Sequence, residues 1–222
     1  MQLIALLPMK AHSERVPNKN IRKFAGKPLY HHVAAVLESS PMIDQIIINT
    51  DSKTIAEDAV RQFSKAVIHS RPPELCGDFV SMNRIIKWDI AHTAGNHFLQ
   101  THSTNPLLTR ETLEQAIEEY FHHLPTYDSL FSVTAYQGRF YRSDGSPVNH
   151  NPDELIRTQD LPVLFKENSN IFIFSRKSFA MAGDKRIGKK PFLFEMNKLE
   201  AVDIDDADDW RLAEAVFGLR KD

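Results

Sequence analysis

Short apolar runs alternate with amphipathic stretches along most of this chain. Residues 3–7 (LIALL) read as a strand buried on both faces, because no polar position interrupts them. Pro28 suits the first turn of a helix through PLYHHVAAVLES. QIIINT (Gln45–Thr50) predicts a second strand, and Ser52 is placed to cap a helix over 53–63. Residues 66–69 predict a third strand. Met82, Ile85, Ile86 and Ile90 recur at helical spacing, 97–101 reads as a strand, Thr109 precedes a helix over 110–123, and 129–133 predicts another strand. Short strands alternating with helices imply an α/β fold: a Rossmann-like three-layer sandwich whose mostly parallel sheet is covered on both sides. In such sheets ligands sit outside the carboxyl ends of the strands.

The rhythm breaks at 135–167, a segment rich in Pro, Asn, Asp and Gly that nonetheless carries Tyr136, Phe140 and Tyr141. A stretch this long inside a compact domain is usually functional or docked on something. It reads as an arm inserted in a single domain spanning 1–222, lying over the site or on a second subunit, with an ordinary surface excursion as the plainer alternative and SDGS as a hairpin turn. The end of the chain predicts a short strand (AVDID), an acidic turn and an amphipathic helix.

The formal net charge of −2 argues against general nucleic-acid affinity, which needs a broad positive surface. One cysteine, Cys76, excludes an intramolecular disulfide and suits a reducing compartment. No run approaches the roughly 18 apolar residues of a membrane span. The N-terminus lacks the basic region of a signal peptide. A soluble cytoplasmic protein is expected, with neither membrane nor nucleic acid as partner.

Against that balanced background, Lys10, Arg15, Lys19, Arg22, Lys23 and Lys27 crowd the loop after the first strand. Backbone N–H groups and cationic side chains there can hold a triphosphate, and a solvated basic loop is the plainer alternative. Neither GxxxxGK[ST] nor GxGxxG is present. Far along the chain, Asp203 and Asp205 flank Ile204. On an extended segment both carboxylates share a face, as the hard oxygen ligands of Mg²⁺ would. Acidic residues at a helix start are common, so Asp206, Asp208 and Asp209 can equally serve the dipole of the last helix.

The order of these pieces resembles the CMP-sialic-acid synthetases (acylneuraminate cytidylyltransferases) and, more loosely, the CMP-Kdo synthetases. Pro8, Lys10, Ser13, Pro17, Lys19 and Asn20 fall in register with P-A-R-x-x-S-K-x-x-P-x-K-N. NTDS, RPPELCGD, HSTNPLL, RTQDLPVLFKENSNIFIF and VDID follow in the family's order. The resemblance implies a GT-A-like nucleotidyltransferase fold. It also implies that CTP and a 2-keto-3-deoxy sugar acid give a CMP-sugar and pyrophosphate, with Mg²⁺ as cofactor. By register, Lys10 and Lys19 would hold phosphates and act in catalysis with Asp203 and Asp205, the metal ligands. Ser13 and Arg15 would join the nucleotide site, and Asn20, Arg71 and Ser81 would read the cytidine. His102, Thr104, Arg157, Gln159 and Asn168 would face the sugar acid, and the arm would pack on the partner of a homodimer. Departures stand out at six positions. Lys10 replaces an arginine, Ala11 and His12 stand at small positions, Glu14 reverses a charge, His102 replaces a glutamine and Ser169 a glycine. A non-catalytic binding relative and a metal-dependent glycosyltransferase are the alternatives.

Overall fold

The computed structural model describes residues 3–13, 15–124 and 126–220. Its first strand, β1 (Leu3–Leu6), is wholly buried, and a tiny hairpin, β2 (Lys23–Phe24) and β3 (Lys27–Pro28), closes the basic loop behind it. The turn of that hairpin holds Ala25 and Gly26 both at positive φ (46° and 88°), the conformation a two-residue hairpin loop demands. Helix α1 (Leu29–Ser39) follows directly, with Pro28 at its N-cap. Then come β4 (Gln45–Thr50), α2 (Lys53–Gln62), β5 (Ala66–Ser70), α3 (Met82–Ala91), β6 (His97–Gln100) and α4 (Arg110–His123). Ser52 and Thr109 cap α2 and α4, each accepting a backbone N–H three residues on. The chain completes with β7 (Ser129–Tyr136), β8 (Leu164–Ser175), α5 (Arg176–Met181), β9 (Pro191–Glu195) and α6 (Ala207–Leu219).

Seven strands form one sheet in the order β5-β4-β1-β6-β8-β7-β9. All pairings are parallel except those of β8, which runs antiparallel between β6 and β7. Alternation along β1 feeds two cores. Leu3, Ala5 and Leu7 pack with α1, α2 and α4, while Ile4 and Leu6 pack with Ile86 and Ile90 of α3 and Phe179 of α5. The expected three-layer α/β fold is therefore present. A third core joins Val16, Phe24 and Leu29 near the basic loop to Leu107, Ile204 and Trp210. No helix among the described residues is long and apolar enough to cross a membrane.

Three expectations change. The AVDID segment forms no strand: it is held by one backbone bond, Ile204 N–H to Thr104 O at 2.9 Å, and by burial of Ile204. The strands β8 and β9 had no counterpart in the apolar pattern. In β8 the polar run KENSN interrupts it, and that run is an irregularity in the pairing with β7: the register shifts between Phe131↔Phe172 and Val133↔Glu167. The Ser132 hydroxyl fills the gap, donating to Asn168 Oδ1 (2.6 Å) and accepting from Ile171 N–H (2.8 Å). Finally, the ends of the 135–167 arm belong to the sheet, since Tyr136 pairs with Leu164 and Val133 with Glu167. Beyond them, SDGS does turn a hairpin, with Arg142 N–H bonded to Ser146 O at 2.8 Å and Tyr141 bridged to Pro147. Tyr136 and Tyr141 are exposed, whereas Phe140 is half-buried.

Candidate active site

Past the carboxyl ends of β1 and β6 lies a cleft of about 490 Å³. The basic loop forms one wall. It is pinned from beneath by Val16 and Phe24, which share a core with Ile204. That shared core is why two segments about 190 residues apart meet: burying Ile204 leaves Asp203 and Asp205 on its two sides, both in the cleft wall. Lys19 Nζ donates to Ile204 O at 2.7 Å and lies 3.8 Å from Asp205 Oδ1, and Arg15 donates to the same oxygen at 2.7 Å. Burial pulls the Lys19 pKa below its ordinary value, against the opposing pull of Asp205 and Asp203. Lys10 reaches across the cleft to Asp78, and Ser13 completes this wall.

The acidic run divides into two roles. Asp206 and Asp209 form the capping box of α6, with Asp206 accepting from the N–H groups of Asp208 and Asp209. Those same backbone bonds hold the Asp206 carboxyl below the usual range. Asp203 takes no part in the cap. Burial pushes its pKa up, opposed by the Thr104 hydroxyl, while Asp205 adds like-charge repulsion. Its Oδ1 is buried without a hydrogen-bond partner among the described residues. An orphaned, desolvated carboxylate oxygen beside a second carboxylate suits a hard divalent cation. No group of three His, Cys, Asp or Glu among the described residues could hold a metal ion, so remaining ligands would come from substrate and water.

The opposite wall holds His102 and a residue the sequence reading overlooked, Arg186. Its Nη1 lies 2.5 Å from Gln100 Oε1 and 3.3 Å from His102 Nε2. Burial, then the charges of Arg186 and Lys19, push His102 down to about 3. The ring is therefore neutral at ordinary pH and accepts from Arg186. The signal for Arg186 was the dense basic stretch KRIGKK after α5. A second cavity, also about 490 Å³, adjoins the first and shares Ser169, Asp203 and Asp205 with it. Ser169 stands at φ 58°, the left-handed region where a glycine is easiest, matching the glycine of the family motif.

Several assigned residues lie elsewhere. Arg71 is not among the lining residues: its guanidinium is committed to Asn49 Oδ1 (2.7 Å), Asn49 O (2.9 Å) and Met9 O (3.2 Å). Asn49 in turn donates to the buried Asp89 at 2.7 Å, so this network supports the cleft from behind. Ser81 is exposed at the start of α3, outside the cleft. Asn20 does line it, but its amide ties Lys10 O (2.9 Å) to the Ser103 hydroxyl (2.7 Å) and so fixes the loop. Asn168 borders the second cavity, with its amide turned inward to Ser132 and Thr134. Arg157 and Gln159 sit in the arm, away from both cavities. There Arg157 is a bidentate partner of Asp160 (2.7 and 3.0 Å), and Gln159 offers its carbonyl to Gln137. Glu14 lies outside the described residues.

A mostly parallel α/β sheet, with a cationic loop paired to an Asp-Ile-Asp segment in one cleft at the strand ends, has the build of a nucleotidyltransferase. Residues 4–206 match the family model of cytidylyltransferases, and the chain belongs to that family. It is 30% identical over 236 residues to the CMP-N,N'-diacetyllegionaminic acid synthase of Legionella pneumophila, covering 100% of this chain and 99% of that one. It is also 30% identical to the N-acylneuraminate cytidylyltransferase A of Danio rerio, across 95% of this chain and 49% of that longer protein. Among solved structures, a CMP:2-keto-3-deoxy-manno-octonic acid synthetase complexed with CTP shares the fold, with a TM-score of 0.72 at 12% identity over 99% of this chain and 100% of that one.

Proposed function

We propose that this cytidylyltransferase activates a nonulosonic-type keto-sugar acid with CTP, giving a CMP-sugar and pyrophosphate. The observation that carries the reading is the buried carboxylate oxygen of Asp203, without a hydrogen-bond partner among the described residues and beside Asp205, which pairs with Lys19 and Arg15. The sugar hydroxyl oxygen bonds to the α-phosphorus and gives up its proton to solvent, the bond from the α-phosphorus to the oxygen bridging it to the β-phosphate breaks, and pyrophosphate leaves with that electron pair. Asp203 and Asp205 would hold Mg²⁺, which would supply charge neutralisation for the phosphates. Lys19 and Arg15, paired with Asp205 in the free protein, exchange that partner for phosphate oxygens. Lys10 does the same from Asp78. Asn20 and Arg71 hold the loop backbone in place for them. Catalysis then rests on positioning and on charges already oriented toward the leaving group. The single cysteine suits a reducing compartment and with it the cytoplasm. The test is pyrophosphate release from each of the four NTPs against a panel of 2-keto sugar acids. CTP with at least one acid should react; release with no pair, or a clear preference for another NTP, would overturn the reading.

The arm supports a homodimer. Leu155 is 88% exposed, Tyr141 57% and Phe165 49%, and apolar residues of this kind are characteristic of interface cores. In such a dimer Arg157 and Gln159 would serve the partner's cleft. Light scattering should give twice the 25.4 kDa chain mass, and Leu155→Asp should shift the equilibrium toward monomer. A wild-type monomer at micromolar concentration would refute it.

A further inference from the structure

Arg186 is a buried cation with weak compensation. Its side chain is 17% exposed, and its guanidinium lies 3.5 Å from the centroid of the Phe172 ring. An N–H to Asn83 Oδ1 bond (3.2 Å) pins its backbone to α3. Two of its partners are uncharged: the Gln100 amide at 2.5 Å and the neutral His102 ring at 3.3 Å. The one carboxylate near it is Glu167, at 3.5 Å from Nη2 and 41% exposed. Burial brings its pKa down to about 10, so it keeps its charge at neutral pH. Among the described residues, Nε has no acceptor and Nη2 has only that long contact, which leaves one edge of the fork open. A guanidinium this desolvated, whose one carboxylate neighbour is distant and exposed, gains from an anion at its open edge.

The position of Arg186 indicates which anion. Arg186 lines the same cleft as Lys19, with His102 Nε2 3.3 Å from its Nη1, so a ligand held on the phosphate loop lies within the same cavity. Arg186 shares its wall with Ser169, which opens to the second cavity. The two substrates bring two anionic centres, a triphosphate and a carboxylate. The loop cations answer the first. We infer that Arg186 forms a bidentate pair with the carboxylate of the acceptor sugar and sets the enzyme's demand for an acidic acceptor, the role the resemblance gave to Arg157. The inference rests on the proposed reaction.

The experiment uses Arg186→Gln and Arg186→Lys, with CTP and the preferred acid of the panel, and with that acid's methyl ester as the neutral comparison. Wild type should favour the acid over the ester by about a hundredfold or more. Arg186→Gln should raise KM for the acid by about a hundredfold, leave KM for CTP within about twofold, and abolish the discrimination against the ester. Arg186→Lys, with charge but no fork, should fall between. If the glutamine variant does not fold, the lysine variant carries the same KM comparison. A rise confined to KM for CTP would make Arg186 a phosphate ligand, and unchanged selectivity for the acid would make it structural. Either result overturns the inference while the reaction stands. A wild-type enzyme that releases pyrophosphate with no acid removes both.

Discussion

Replacing Asp203 by Asn separates a metal ligand from a capping acid. The substitution keeps size and the acceptor for Thr104 but removes a carboxylate that burial and Asp205 both disfavour. In EDTA, therefore, Asp203→Asn should be at least as stable as wild type. Relief of one desolvated charge and of its repulsion by Asp205 is worth on the order of 1 kcal/mol, or about 2–4 °C in melting temperature for a chain of this size. Turnover should move the other way. Loss of one charged contact in the transition state costs on the order of a hundredfold, about 2.7 kcal/mol at roughly 1.4 kcal/mol per factor of ten. The increase in melting temperature that Mg²⁺ and CTP give the wild type should shrink in parallel. Asp206→Ala, which removes the side-chain cap of α6, is the control: a lower melting temperature with unchanged Mg²⁺ dependence. Thermal melts and pyrophosphate release over a Mg²⁺ titration measure both quantities. An Asp203→Asn enzyme with wild-type turnover and an unaltered Mg²⁺ curve would refute the reasoning.

Lys19→Ala should weaken CTP binding by calorimetry, and added salt should weaken it in the wild type; unaltered affinity would remove Lys19 from the phosphate site. His102 has a folded pKa of about 3 against an unfolded value near 6.5, so below pH 6.5 the unfolded chain takes up the proton first. Stability from this residue is complete above pH 6.5 and is lost as pH falls, by up to about 1.4 kcal/mol per unit. His102→Gln should flatten the acid limb of the stability curve and keep most of the activity, because an amide oxygen can accept from Arg186; loss of activity with an altered pH–rate profile would mean acid–base chemistry instead. Asn49→Ala should cost about 2 kcal/mol, or roughly 4–8 °C, by removing one hydrogen bond from Asp89 and one from Arg71 while each keeps its other partners, and chemical denaturation measures it.

Much of this protein is legible in local pattern. Strands such as LIALL and QIIINT are continuous apolar runs, and Ser52 and Thr109 cap helices through contacts three residues away, so short-range rules suffice. Motif order also carried the cytidylyltransferase family. The strand β8 escaped because its pairing irregularity is written as polar residues, Asn168 to Asn170, which only the Ser132 hydroxyl of a neighbouring strand makes buriable. Arg71 and Asn20 carried the right motif letters, yet which of their hydrogen-bonding atoms face a ligand depends on carbonyls supplied by Met9, Asn49 and Lys10 after folding. Arg157 belonged to the sugar site by register, yet within the single chain its guanidinium pairs with Asp160 and lines neither cavity. Arg186 was only one more basic residue in KRIGKK until Phe172, Gln100 and His102 came together around it. Local propensity is encoded over three or four residues, whereas the charge, exposure and free valences of a side chain are set by neighbours that the sheet gathers from anywhere in the chain.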